Sequence, residues 1–167
     1  MFIKQIVLVV LLTLILPIEV TAGSQSGPQI GFTSPNIIGH LLDDTPYRLK
    51  NDTGAPKVIN FFWVGCKPCR KEMPELAMFE KRFKTVKFIA VHTQSEPAEN
   101  IVKFIKSLKG APSTVVQTSG GIQENFKFPG LPHTVLLDKS NVVMLNLSGY
   151  TPENMSQLNK ALVELTK

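Results

Sequence analysis

Eight residues set the architecture of this chain: Lys57 to Val64, KVINFFWV, a continuous apolar run between turn-forming residues. At this length the run reads as a strand buried on both faces. Such a strand needs cover on each side of its sheet, which points to an α/β layering. The run leads through Gly65 into Cys66-Lys67-Pro68-Cys69. From Lys67 to Phe83 the pattern turns helical, with Met73, Leu76, Ala77 and Phe83 near one face.

The flanking segments extend the alternation. Val86–Thr93 reads as a second strand. Pro97–Leu108 reads as a helix with Ile101, Phe104, Ile105 and Leu108 at core spacing and Pro97 in its first turn. STVVQT is a short strand, and IQENFKF is compatible with a helical turn. Gly130–Asp138 gives a turn and a strand, and NVVMLNLSG pairs with it across the tight DKSN connection. Thr151 caps a final helix that has Pro152 at its first position. Upstream, IIGHLLDD and YRLKND are spaced for an early hairpin. The expected order after the N-terminal segment is β-α-β-α-β-β-α, a mixed sheet with helices on both faces.

The chain has 167 residues and is 43% hydrophobic, which suits one compact domain. The net charge is +5, but no basic run is longer than a pair such as Arg70-Lys71, so nucleic acid is not an expected partner. Lys4 precedes an apolar run from Ile6 to Leu16, followed by Pro17 and then Val20-Thr21-Ala22. This is the layout of a secretory signal peptide over 1–22, cleaved after Ala22. The alternative is an uncleaved membrane anchor, for which the run falls short of the roughly 20 apolar residues of a spanning helix. The Ser-, Gly- and Pro-rich stretch that follows, 23–35, reads as a flexible lead-in to a domain over 36–167.

Export changes what two cysteines mean. Disulfides persist outside the cytoplasm and commonly act as staples, but a staple gains most by closing a long loop. A bridge from Cys66 to Cys69 closes almost nothing, which favours redox chemistry. At the start of a helix, unpaired N–H groups and the dipole favour a thiolate, the attacking form of cysteine. The dipole supplies about 0.3–1 kcal/mol, against about 1.4 kcal/mol for one pKa unit. Lys67 and a hydrogen bond from the Cys69 thiol would have to add to it. The bridge closes most easily with Cys66 as the helix cap, Pro68 in the first turn, Cys66 the exposed attacker and Cys69 the shielded resolver. Zinc is disfavoured because His40, His92 and His133 lie far apart in sequence. Haem attachment is disfavoured because Arg70, not His, follows Cys69.

NFFWVGCKPCRKEMPEL, with GLPHTVLLD downstream, resembles the exported, membrane-associated thioredoxins of the TlpA/ResA/CcmG kind, from about Leu49 to the C-terminus. The resemblance implies a thioredoxin fold and a thiol:disulfide oxidoreductase with no cofactor beyond a redox-active Cys66–Cys69 disulfide. Pro74 matches the proline within the active-site helix. Leu131-Pro132 matches the cis-proline loop that packs on the disulfide and offers backbone to the substrate chain. His133 follows it, as a residue that could touch substrate or tune Cys66, with a solvated loop histidine as the alternative. Glu72 stands where this family often has a glutamate. A partly buried carboxyl there, with raised pKa, could accept the Cys69 proton; a solvated helix glutamate is the equal alternative. Asn60 stands where cytosolic thioredoxins carry a buried aspartate. The chain departs from the pattern at Gly65, where the family usually has Trp. Trp63 lies two positions earlier, so the rim of Cys66 is expected to be more open.

The resemblance further implies a reductant of protein disulfides at the periplasm or extracytoplasmic face of the bacterial inner membrane. A DsbD/CcdA-type membrane thiol carrier would recharge it, and apocytochrome c would be a client. Direction is not readable from residues, since members of the fold span about −270 to −120 mV. An oxidase or isomerase, or a non-catalytic binding module or chaperone, stands as the alternative.

Overall fold

The computed structural model describes residues 27–167, so the expected signal peptide lies outside the described residues. The described chain runs β1 (Ile38–Leu41), β2 (Pro46–Arg48), β3 (Lys57–Phe62), α1 (Cys69–Arg82), β4 (Lys87–His92), α2 (Ala98–Lys106), β5 (Thr114–Gln117), α3 (Ile122–Phe126), β6 (His133–Leu137), β7 (Val143–Ser148) and α4 (Pro152–Leu165). Seven strands form one sheet in the order β2-β1-β5-β4-β3-β6-β7. The β5-β4-β3 stretch is parallel, and β1 and β6 join it antiparallel. The early hairpin and the β6–β7 pair are both present as expected.

Every residue of β3 is buried, which is why its sequence carries no alternation. Its side chains still divide by parity. Val58 joins Leu76 of α1, Leu136 of β6 and Leu158 of α4 in one cluster. Phe62 joins Met73 of α1 with Ile101 and Phe104 of α2 in a second, which also holds both cysteines. On the opposite face, Ile59 and Phe61 meet Ile122 and Phe126 of α3, Phe128, Ile37 and Leu49. Helices therefore cover both faces.

α1 has no β-branched residue and ends in Lys81 and Arg82, which suit a helix C-terminus. Thr151 caps α4 as expected, accepting the Asn154 N–H. Pro97 sits at the cap of α2 rather than in its first turn. Among the described residues, no helix is long and apolar enough to cross a membrane.

The lead-in departs from expectation over its described part. Gly27 donates to the Lys127 carbonyl, Gly31 to that of Val143 and Ser34 to that of Asn141, while Val143 donates back to Phe32. Gly27 and Pro28 are buried. Residues 27–35 are thus bound to the body of the domain. The start of β7 is a sheet edge with unpaired backbone groups, and this segment satisfies them.

Candidate active site

Beyond Phe62 the chain turns sharply, and the Cys66 N–H donates to the Trp63 carbonyl at 2.9 Å. Pro68 follows with φ −68° and ψ −27°, the helical setting its ring favours. Its carbonyl accepts from Lys71 and Glu72 at 3.0 and 3.2 Å. The cap residue of α1 is therefore Pro68 and not Cys66. Cys66 nonetheless supplies the side-chain acceptor: its Sγ takes the Cys69 N–H at 3.2 Å. A free amide at the positive end of the helix thus points at the first sulfur.

The two cysteines are joined in a disulfide, with their Cα atoms 5.4 Å apart. Both cysteines are buried, Cys66 with 8% of its surface accessible and Cys69 with none, so Cys66 is the more accessible of the two but not the exposed attacker expected. Lys67 and Pro68 are exposed beside them. Arg70 does not reach toward the pair. Its guanidinium lies 4.6 Å over the Phe104 ring and donates to Ser107 Oγ at 2.9 Å, tying α1 to α2.

Glu72 lies on the inner side of α1, fully buried. Oε2 accepts from Asn60 Nδ2 at 2.7 Å and Oε1 from Thr134 Oγ1 at 2.9 Å. Asn60 also donates to Thr134 Oγ1 at 3.0 Å. None of these partners carries charge. Burial pushes the carboxyl up to about 7, while the two hydrogen bonds pull the other way. The solvated alternative for Glu72 is thereby excluded. Thr134 is a site residue the sequence reading did not single out. Its signal was parity: it pairs with Asn60 across β3 and β6, so both face α1.

The Leu131–Pro132 peptide bond is cis. Pro132 is buried, and Leu131 packs on the cluster that holds the two cysteines. His133 is different from what its position beside Pro132 suggested. One residue along the strand reverses the direction of the side chain. His133 therefore points away from α1 and is fully buried. Its ring stacks on Phe128 at 5.1 Å, and Nδ1 meets Ser148 Oγ at 3.1 Å. Burial pushes its pKa down to about 4, against a smaller opposing effect of Asn146. It is a neutral core side chain that no surface partner can touch.

Two further features surround the pair. His92, also fully buried at the end of β4, has Nδ1 3.0 Å from the Gln94 carbonyl. With the proton on Nδ1, its Nε2 accepts the Val64 N–H at 3.4 Å and so braces the loop that carries Cys66. Burial holds this imidazole below its ordinary pKa, which keeps that acceptor free. The rim at Gly65 is not open as expected. A Cβ built there would lie within 3.0 Å of three atoms of the Trp63 ring, so the indole already occupies that space.

Comparison with known proteins places this geometry in context. A family model described as thioredoxin-like matches residues 55–165. The thiol-disulfide oxidoreductase ResA of Bacillus thuringiensis subsp. konkukian is 26% identical over 83% of this chain and 79% of its own length. ResA of Geobacillus thermodenitrificans is 28% identical over 77% and 75%. Among solved structures, a candidate thiol:disulfide interchange protein DsbE from Chlorobium tepidum superposes with a TM-score of 0.75. It is 20% identical, and the match covers 83% of this chain and 99% of that one.

Proposed function

The chain belongs to the thioredoxin-like family and is a thiol-disulfide oxidoreductase, and from that premise we propose that it works as an exported reductant of protein disulfides through Cys66, Cys69 and Glu72. In the dithiol form the Cys66 thiolate attacks one sulfur of a partner disulfide. A bond forms between Cys66 Sγ and that sulfur, and the other partner sulfur leaves as a thiolate that takes up a proton. Cys69 then passes its proton to the Glu72 carboxylate and attacks Cys66 Sγ. The mixed disulfide breaks, the second partner thiol is released, and Cys66–Cys69 is left oxidised. Two electrons have moved to the partner, and Glu72 returns its proton to the departing thiolate or to water.

The observation that carries this reading is the seating of the Cys66 sulfur on the Cys69 amide at the start of α1. The same donor would stabilise the thiolate in the reduced protein. A carboxyl poised at about 7 one helical turn on supports the resolving step. The packing of Leu131 on the cluster that holds the two cysteines supports a role for this loop in presenting backbone to the client chain. The client class is exported polypeptides, apocytochrome c among them, and the electrons come from a DsbD/CcdA-type membrane thiol carrier. The site of action is the periplasm or the outer face of the bacterial inner membrane.

Trapping tests this. A Cys69→Ala protein expressed in the cell should accumulate mixed disulfides on Cys66, with apocytochrome c or other exported proteins as the captured chains. Absence of any adduct, together with no reduction of insulin by the wild-type dithiol, would overturn the reading.

A further inference from the structure

Trp63 is the single tryptophan of the chain, and it stands three residues before the reactive sulfur with 36% of its surface exposed. Its seat is built for it. Gly65 does not adopt a left-handed backbone setting, so conformation alone does not call for glycine there. What calls for glycine is room: any side chain would run into the indole. The turn closed by the Cys66 N–H and the Trp63 carbonyl accompanies this fold-back, which sets the outer atoms of the indole against Gly65 and leaves part of the ring at the surface.

The approach to Cys66 makes that surface consequential. With 8% of Cys66 accessible, a partner's sulfur reaches it only if the partner backbone lies against this loop. On an extended partner strand the side chains two residues from the cysteine share its face, about 6.6 Å along the chain, and so fall within reach of the loop's own side chains. Around the pair, Lys67, Pro68 and Arg70 are exposed. Trp63 is the large apolar group on this loop, and Leu131, half-buried, lies on the cluster that holds the cysteines.

We propose that Trp63 is a specificity-determining residue: its indole, seated on Gly65, packs against an apolar side chain two residues from the reacting cysteine of the partner polypeptide. This rests on the thiol-disulfide reading above. The protein therefore reduces disulfides flanked by apolar residues faster than those flanked by small polar ones.

The test uses two short peptides, each with one cysteine held in a mixed disulfide with glutathione, differing only in Leu or Ser two residues from that cysteine. Rapid-quench mixing with the reduced full-length protein gives the second-order rate of peptide thiol release in a single turnover. The wild type should favour the Leu peptide about tenfold, the low end for a modest apolar contact. Trp63→Ala should bring the ratio to about one, and Trp63→Phe should restore part of it. Gly65→Ala, which keeps the indole but removes its seat, should also lower the ratio. A merely structural role for Trp63 would slow both peptides alike and leave the ratio standing. A wild-type ratio near one, or a tenfold ratio that survives Trp63→Ala, overturns the proposal while leaving the oxidoreductase reading intact. Failure of the wild type to reduce either peptide overturns both.

Discussion

The two faces of the sheet each bury an ionisable side chain, and they do so to different ends. On the α1 face, Glu72 is enclosed with Asn60 and Thr134, and its pKa rises to about 7. On the opposite face, His133 is enclosed with Phe61 and Phe128, and its pKa falls to about 4. Burial favours the neutral form in both cases. The outcome diverges because a carboxyl is neutral when protonated and an imidazole is neutral when deprotonated. A carboxyl pushed upward arrives where it can exchange a proton at neutral pH. An imidazole pushed downward leaves that range and becomes inert filling. One group lies along the helix of the thiol pair and the other faces away from it, so chemistry is expected from the first alone.

Cys66→Ser should remove thiol-disulfide exchange altogether, measured as insulin reduction. His133→Phe, on the other face, should change that rate less than about twofold, as expected for a residue outside the reaction. Equal losses from both would erase the distinction between the faces.

The stability of the two proteins against pH separates the faces next. Glu72 has a folded pKa above its ordinary 4.5, so its contribution is complete below about 4.5 and is lost as pH rises to about 7. That loss is about 3 kcal/mol for the shift involved. His133 has a folded pKa below its ordinary 6.5. Its contribution is complete above about 6.5 and is lost as pH falls to about 4, again by about 3 kcal/mol. Urea unfolding across this range should show Glu72→Gln cancelling the alkaline-side loss and His133→Phe cancelling the acid-side loss.

Kinetics give the third contrast. Glu72→Gln keeps the shape of the side chain and one acceptor oxygen for Asn60 and Thr134 but cannot take a proton. Resolution of a mixed disulfide on Cys66 should slow by about a hundredfold, the lower range for general acid–base help. Its rate should also lose the inflection near pH 7. The smallest effect is expected from Thr134→Val, which deletes one hydrogen bond to the Glu72 carboxylate. It should cost about 1 kcal/mol of stability and move the Glu72 inflection further up, because that bond holds the pKa down.

Much of this was readable from residues. The unbroken burial of β3, the helix after Cys69 and the capped C-terminal helix follow from patterns that local physics controls. The thiol pair announces itself by its spacing and by its place between a strand and a helix. His133 was misplaced because adjacency to Pro132 says nothing of parity, and parity is fixed only by the register of β6 on β3. Thr134 was missed for the same reason. The lead-in over 27–35 was read from composition as free, yet Gly and Pro there serve pairing with the β7 edge, a contact between segments more than a hundred residues apart. The rim at Gly65 was read as open because a missing side chain is visible in sequence, whereas a ring folding back from Trp63 is not.

Ionisation of Cys66 in the reduced protein remains the decisive quantity, read as the pH dependence of its alkylation rate in a Cys69→Ala background and in the wild-type dithiol. Free cysteine ionises at about 8.5. With the sulfur held on the Cys69 amide at the positive end of α1, the wild-type profile should reach half its maximum below that value. A profile that follows free cysteine would contradict a helix-stabilised thiolate and the exchange chemistry built on it.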